Sequence, residues 1–167
     1  NGRKLVFLDT PGHARHHYCV FDELSAGLFT GDTFGTSYPE LNLGKGRFVF
    51  PPSTPVQFDP AAWQNTLDRL LTYKPERVFL THFGMHEEVD VLCKLLKQAI
   101  RDYAETAQEY AEAENRTHRI TQSILQASVN YLLDQQCGID VATIHHLIQC
   151  DMELNAQGLD HWLTTQG

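Results

Sequence analysis

The first half of the chain alternates short apolar runs with turns that are rich in glycine and proline. These runs have the length and the aromatic and β-branched content that are typical of β-strands. Strands are predicted over residues 4–9, 18–22, 27–30, 48–50 and 77–81. One helix is predicted between the last two of these strands. Asp59 and Pro60 form its N-terminus, and apolar residues then recur at helical spacing until Lys74 and Pro75 end the run.

The second half has the periodicity of amphipathic α-helices. Apolar residues share one face over residues 89–107, and a second series comprises Ile120, Ile124, Ala127 and Tyr131. Gly138 and Asp140 predict a helix end and a new N-cap, followed by a third helix over residues 141–150 and a short fourth over 159–163. We therefore predict an α/β domain over residues 1–86 and an all-helical C-terminal domain over residues 87–167.

Composition and charge exclude several classes of protein. The 167 residues are 42% hydrophobic and 20% charged, which is ordinary for a globular protein. The longest apolar runs are far shorter than the roughly 20 residues that a membrane span needs, so no membrane partner is expected. The net charge of -8 argues against a nucleic-acid partner, because phosphate binding normally leaves a basic surface.

The four cysteines, at positions 19, 93, 137 and 150, form neither a Cys-x-x-Cys pair nor a compact disulfide framework. We interpret them as reduced thiols and predict a cytoplasmic location. The chain begins abruptly in the middle of a strand pattern, without a methionine. This beginning favours the C-terminal piece of a longer protein.

Three residues of metal-binding type follow three of the predicted strands. His13 ends the sequence TPGH, Asp32 lies in GDTFG, and His82 lies in THFG. Strand ends that lie at the same edge of a sheet converge in layered α/β folds, so these side chains are expected to meet. Each residue taken alone is more often a turn residue or a structural histidine, and only the joint order favours a site.

That order of strands and motifs resembles the second half of the metallo-β-lactamase superfamily. The resemblance implies an α/β fold, namely the C-terminal half of an αββα sandwich, followed by a helical tail similar in arrangement to that of glyoxalase II. It implies that His13, Asp32 and His82 are metal ligands, and that Asp32 bridges two ions and is the catalytic residue. One or two divalent ions are implied, most often zinc, with iron or manganese as other options.

The implied activity is hydrolysis of a small-molecule ester, thioester, lactone or phosphoester by metal-activated hydroxide. The superfamily's motif H-x-H-x-D-H has no counterpart in this sequence, so the chain is expected to be inactive alone. Two hypotheses remain open: a piece of a longer hydrolase, or a non-catalytic protein-interaction module on a degenerate scaffold. A half-sandwich would expose apolar surface, so we expect a homo-oligomer or association with the missing N-terminal half.

Residues 36–58 form a long irregular segment after Asp32 and are expected to form a wall of the substrate cleft. Tyr38, Lys45 and Arg47 are the candidate substrate-binding residues, and the two basic side chains would meet an anionic substrate. His16 and His17 are further candidates, either for lining the pocket or for orienting a metal ligand. The competing interpretations are a solvated connector for the segment and exposed turn positions for the two histidines.

Overall fold

The computed structural model describes residues 2–42, 44–53 and 57–165. Within these residues the strands are β1 (Leu5–Asp9), β2 (Tyr18–Asp22), β3 (Gly27–Gly31), β4 (Arg77–Leu80) and β5 (Met85–His86). The α-helices are α1 (Pro60–Leu71), α2 (Val89–Glu109), α3 (Arg116–Asp134) and α4 (Val141–Thr164), and a 3-10 helix covers Pro39–Asn42. Among the described helices, none is both long and apolar enough to cross a membrane.

The strands form one mixed sheet in the order β1-β2-β3-β4-β5. Neighbouring strands are antiparallel except for β3 and β4, which are parallel and are connected through α1. Helix α1 begins after Asp59, whose carboxylate accepts a hydrogen bond from the Ala62 amide, as an N-cap residue does. The α/β fold with a helical C-terminal region agrees with the fold predicted from the sequence.

One face of the sheet is buried in a hydrophobic core that it shares with the four helices. The strand residues in this core are Leu8, Cys19, Phe21, Leu28, Val78 and Leu80. Helix α4 packs on α2 and α3, and α2 packs on α1. Because this core is continuous through both parts of the chain, packing ties the helical region to the sheet; the division at residue 86 stays a prediction.

A row of apolar side chains crosses the opposite face of the sheet. The strand register pairs Phe7 with Val20, Val20 with Phe29, Phe29 with Phe79, and Phe79 with Met85. The rings of Phe29 and Phe79 stack with their centroids 4.6 Å apart. Phe7 is 67% exposed and Phe29 is 47% exposed, so this row, the apolar sheet face, is partly open to solvent in this chain.

Two predicted elements differ from the structure. Residues 48–50 form no regular strand, because side chains satisfy the backbone of Phe48: Asn42 Oδ1 accepts from the Phe48 amide, and Ser37 Oγ donates to the Phe48 carbonyl. Only an isolated bridge joins Phe50 to another part of the described chain. Helix α4 is continuous instead of two helices, since residues 151–158 contain no proline and Gly158 lies buried within the helix.

The strand β5 was not predicted from the sequence. Phe83 and Gly84 both have positive φ, 73° and 100°, and this turn folds Met85–His86 back onto β4. His86 is therefore a strand residue, and α2 begins three residues later at Val89. Ala127 was expected on the apolar face of α3 but is exposed, and Ser128 is buried instead.

Gly12 turns the chain from β1 toward His13. Its φ of +136° is rarely adopted by residues with a side chain, and a Cβ there would lie 2.4 Å from Trp63 Cα. We expect Gly12→Ala to lower the free energy of unfolding by about 2–4 kcal/mol, through backbone strain and overpacking, as measured by urea denaturation. Gly84→Ala is the matched control, because its φ is +100° but no described atom lies within 4 Å of the added Cβ. An equal decrease in the free energy of unfolding for Gly12→Ala and Gly84→Ala would contradict a contribution from the Trp63 contact.

Candidate metal centre

The structure brings His13, Asp32 and His82 together at one edge of the sheet. They follow the carboxyl ends of β1, β3 and β4, three strands that run in the same direction. His13 Nε2 lies 3.6 Å from Asp32 Oδ2, and His82 Nε2 lies 3.6 Å from Asp32 Oδ1. All three line a cleft of about 390 Å³, which is large enough for a small-molecule substrate.

The hydrogen bonding of His13 leaves its Nε2 free to bind a metal. The ring is 6% exposed, and its Nδ1 donates a hydrogen bond to the Pro52 carbonyl oxygen at 2.7 Å. A carbonyl oxygen only accepts, so in the neutral ring the proton lies on Nδ1 and Nε2 carries a lone pair. That lone pair faces a carboxylate, and a cation between these two acceptors would be favourable.

Asp32 also has an unmet electrostatic requirement. Its Oδ1 is buried and has no hydrogen-bond partner among the described residues. An unpaired buried carboxylate oxygen is costly, and a bound cation would satisfy it. The 3.6 Å nitrogen-to-oxygen separations are close to the roughly 3.4 Å between ligand atoms of a tetrahedral zinc ion, so these side chains fit a divalent metal.

The three side chains form two imidazole–carboxylate pairs instead of the complete ligand set of one ion. Within residues 2–42, 44–53 and 57–165, no group of three or more His, Cys, Asp or Glu side chains is arranged to hold one ion. His13 and His82 approach different oxygens of Asp32, so each histidine shares this carboxylate with the other. A metal ion bound by either of these pairs would need further ligands to complete its coordination.

His17 lies behind Asp32 and holds the turn that carries it. Its Nε2 accepts a hydrogen bond from the Asp32 amide at 3.1 Å, and its Nδ1 lies 3.0 Å from Thr33 Oγ1. Burial, and secondly the nearby His13, lower the pKa of His17, which favours the neutral ring that can accept this bond. A Cβ on Gly31 would lie 2.4 Å from His17 Cε1, so the glycine makes room for the imidazole.

The other predicted substrate-binding residues are dispersed. Tyr38 lines the cleft beside His82. His16 and Lys45 are not among the described residues that line the cleft; His16 is exposed. Arg47 lines a separate, mainly apolar cavity next to α2 and α3. Substrate binding by these residues stays a prediction.

Helix α4 supplies a cleft wall that the sequence analysis missed. Asp151, Leu154 and Asn155 all line the cleft. The Tyr38 hydroxyl donates a hydrogen bond to Asp151 Oδ2 at 2.7 Å, and burial together with this carboxylate raises the pKa of Tyr38 well above its ordinary value. One sequence signal was available, because Asn155 interrupts the otherwise apolar buried stripe of α4.

Comparison with known proteins gives the same family as the motifs. Residues 1–82 match the family model described as the metallo-beta-lactamase superfamily. The chain is 33% identical over 84 residues to "Metallo-beta-lactamase fold-containing protein ST1585" of Sulfurisphaera tokodaii. That match covers 50% of this chain and 28% of the relative.

Two solved structures share the fold over almost the whole chain. The archaeal metallo-beta-lactamase superfamily protein ST1585 from Sulfolobus tokodaii is 24% identical, with a TM-score of 0.54, and the match covers 95% of this chain and 46% of that one. The metallo-beta-lactamase family protein TTHA1429 from Thermus thermophilus is 18% identical, with a TM-score of 0.53. That match covers 99% of this chain and 46% of the Thermus protein. The chain thus spans less than half the length of these proteins. Residues 1–82 thus match the metallo-beta-lactamase superfamily, and the chain shares its fold with these two structures.

Proposed function

We propose that this chain is part of a metal-dependent hydrolase that acts on a small-molecule ester, thioester, lactone or phosphoester. The observation that carries the proposal is the pair of imidazole-to-carboxylate approaches around Asp32, each 3.6 Å, beside an open cleft. Membership of the superfamily supports the class of reaction. The substrate class within that range stays open.

In this proposal His13, Asp32 and His82 hold one or two divalent ions, with zinc as the first candidate and iron or manganese as the others. Such ions, when bound, lower the pKa of water and stabilise negative charge on the substrate oxygen. Asp32 offers one oxygen toward each histidine. His17 keeps that carboxylate in place by binding the Asp32 amide.

The wall of the cleft indicates how a substrate would be oriented. Tyr38 lies against Phe83 with ring centroids 4.9 Å apart, and it stacks on Phe50. These rings would bind an apolar part of the substrate. Among the cleft residues that the structure describes there is no lysine or arginine, so an anionic group would meet the metal positions instead of Lys45 or Arg47.

A second candidate function is a protein-interaction module without catalysis, and the exposed apolar sheet face favours it. For either function we propose that a second apolar sheet covers this face. It would come from a second copy, or from a segment equivalent to the part of the relatives that this chain does not match. The latter would also be the source of the motif H-x-H-x-D-H. The unpaired cysteines support a cytoplasmic location for this protein.

Metal analysis separates the two candidates. We expect the complete protein to contain near-stoichiometric zinc, iron or manganese, because a second half would complete the two partial sites. We expect the 167-residue chain alone to bind zinc weakly in calorimetric titration, since its three ligands leave each ion under-coordinated. A metal-free but well-folded complete protein would support the interaction module, and a tight site in one monomeric chain would contradict the shared arrangement.

A further inference from the structure

Helix α4 is hydrogen-bonded to the loop that orients His13. The Ser53 amide donates to Asn155 Oδ1 at 2.9 Å, and the Ser53 hydroxyl donates to the Asn155 carbonyl at 2.8 Å. Ser53 and Asn155 are 0% and 2% exposed, so water does not compete for these bonds. The residue before Ser53 is Pro52, whose carbonyl accepts the hydrogen bond from His13 Nδ1 at 2.7 Å.

One rigid peptide unit therefore connects Asn155 with His13. The Pro52 carbonyl and the Ser53 amide belong to the same planar peptide group, and they point in opposite directions. Rotation of this plane would break the bond to Asn155 on one side and the bond to His13 on the other. Since an amide that donates a hydrogen bond is polarised, its carbonyl also becomes a better acceptor.

On the N-terminal side of this peptide, the described backbone offers little other anchoring. Pro51 and Pro52 have no amide hydrogen, so the first amide donor after Phe50 is that of Ser53. The Phe50 amide is bound to the Thr36 carbonyl, on the far side of the two prolines. Among the described hydrogen bonds, the bond from the Ser53 amide to the Asn155 side chain thus restrains this peptide plane from the side opposite His13.

We propose that Asn155 is a positioning residue for the metal ligand His13. By clamping the peptide between Pro52 and Ser53, Asn155 keeps the His13 proton on Nδ1 and the Nε2 lone pair free. The helical region thereby sets the metal affinity of a site built on the sheet. The role toward the metal rests on the proposed function, whereas the effect on the tautomer of His13 does not.

The first test uses NMR of the metal-free 167-residue chain. In the wild type we expect His13 to show the tautomer with its proton on Nδ1, and the Ser53 amide to be protected from hydrogen exchange. Asn155→Leu removes the acceptor and should shift His13 toward a mixture of tautomers. Asn155→Asp keeps an acceptor oxygen and should retain the wild-type tautomer. Asn130→Leu, at an exposed position on α3, is the control for replacing a helical asparagine.

The second test measures zinc affinity by competition with a chelating dye. Loss of a partner outside the ligand shell typically weakens metal binding about 10–100-fold, so we expect at least a tenfold loss for Asn155→Leu. Asn155→Asp and Asn130→Leu should stay within about threefold of the wild type, well below that range. Thermal unfolding of each variant identifies any that is not folded.

Several outcomes would overturn the proposal. A folded Asn155→Leu variant with the wild-type His13 tautomer and zinc affinity would do so. If that variant does not fold, the NMR data of the wild-type chain still test the proposal. A rapidly exchanging Ser53 amide, or a His13 proton on Nε2, would contradict the proposed role of Asn155. Zinc that leaves the His13 resonances of the wild type unchanged would instead contradict the proposed function, while the comparison of tautomers would remain valid.

Discussion

In the proposed hydrolase, replacing Asp32 with alanine is expected to abolish hydrolysis and to lower the metal content of the protein. Asp32 places one oxygen 3.6 Å from His13 Nε2 and the other 3.6 Å from His82 Nε2, so its loss weakens both metal positions at once. Loss of a partner outside the ligand shell already lowers metal affinity or activity by about 10–100-fold. Loss of a shared ligand should therefore lower kcat/KM by more than about 100-fold. Elemental analysis and steady-state kinetics measure the two effects.

Two further variants make this test specific. Asp32→Asn keeps the size of the side chain but removes its charge, so it should also lose metal if the carboxylate is the ligand. His118→Ala, on α3 and away from the cleft, should leave kcat/KM and metal content unchanged. Wild-type turnover in a folded Asp32→Ala enzyme would show that the catalytic site lies elsewhere.

The apolar sheet face is expected to make the isolated chain associate. Its row of side chains runs from Phe7 to Met85 across all strands of the sheet, and β1 is an open edge that can recruit another strand. Burial of about 400 Å² of apolar surface would contribute about 10 kcal/mol, comparable to the stability of a whole domain. Sedimentation velocity at micromolar concentration should therefore show oligomers, or a complex with a partner sheet.

A pair of matched variants tests whether this face is responsible. Phe29 lies near the middle of the row and is 47% exposed, so Phe29→Lys should shift the chain toward the monomer. Val91 on α2 is also 47% exposed but lies outside the face, so Val91→Lys should leave association unchanged. A wild-type chain that is monomeric and unfolds cooperatively would show that the chain is stable without a partner on the apolar sheet face.

Strands β1 to β4 were predictable because their signals are local, whereas β5 was not predicted. β2 has the predicted bounds, and β1, β3 and β4 each differ by one residue at one end. In these segments the apolar run and the flanking turn residues agree on the same element. Residues 48–50 have a similar composition, but the backbone of Phe48 binds the side chains of Asn42 and Ser37 instead of a neighbouring strand, and no local pattern distinguishes these two outcomes.

The candidate site likewise contains some residues that were predicted from the sequence and others that were not. His13, Asp32 and His82 were predicted from the short motifs that contain them, because each motif places a residue of metal-binding type within four residues of the end of a strand. Asp151 and Asn155 were missed because their partners are remote: Tyr38 is 113 residues from Asp151, and Ser53 is 102 residues from Asn155. Nothing within a short window around α4 predicts such partners.

By itself, the sequence predicted the resemblance to the metallo-beta-lactamase superfamily, the succession of most strands and helices, and the three residues that the structure brings together at one edge of the sheet. These properties depend on side chains within a few positions of one another, where periodicity and turn chemistry act directly. Only the tertiary structure decided that α4 forms a wall of the cleft and holds the peptide that orients His13. Those contacts depend on how α4 packs against α2 and α3, and such packing is a property of the whole core that no single segment encodes.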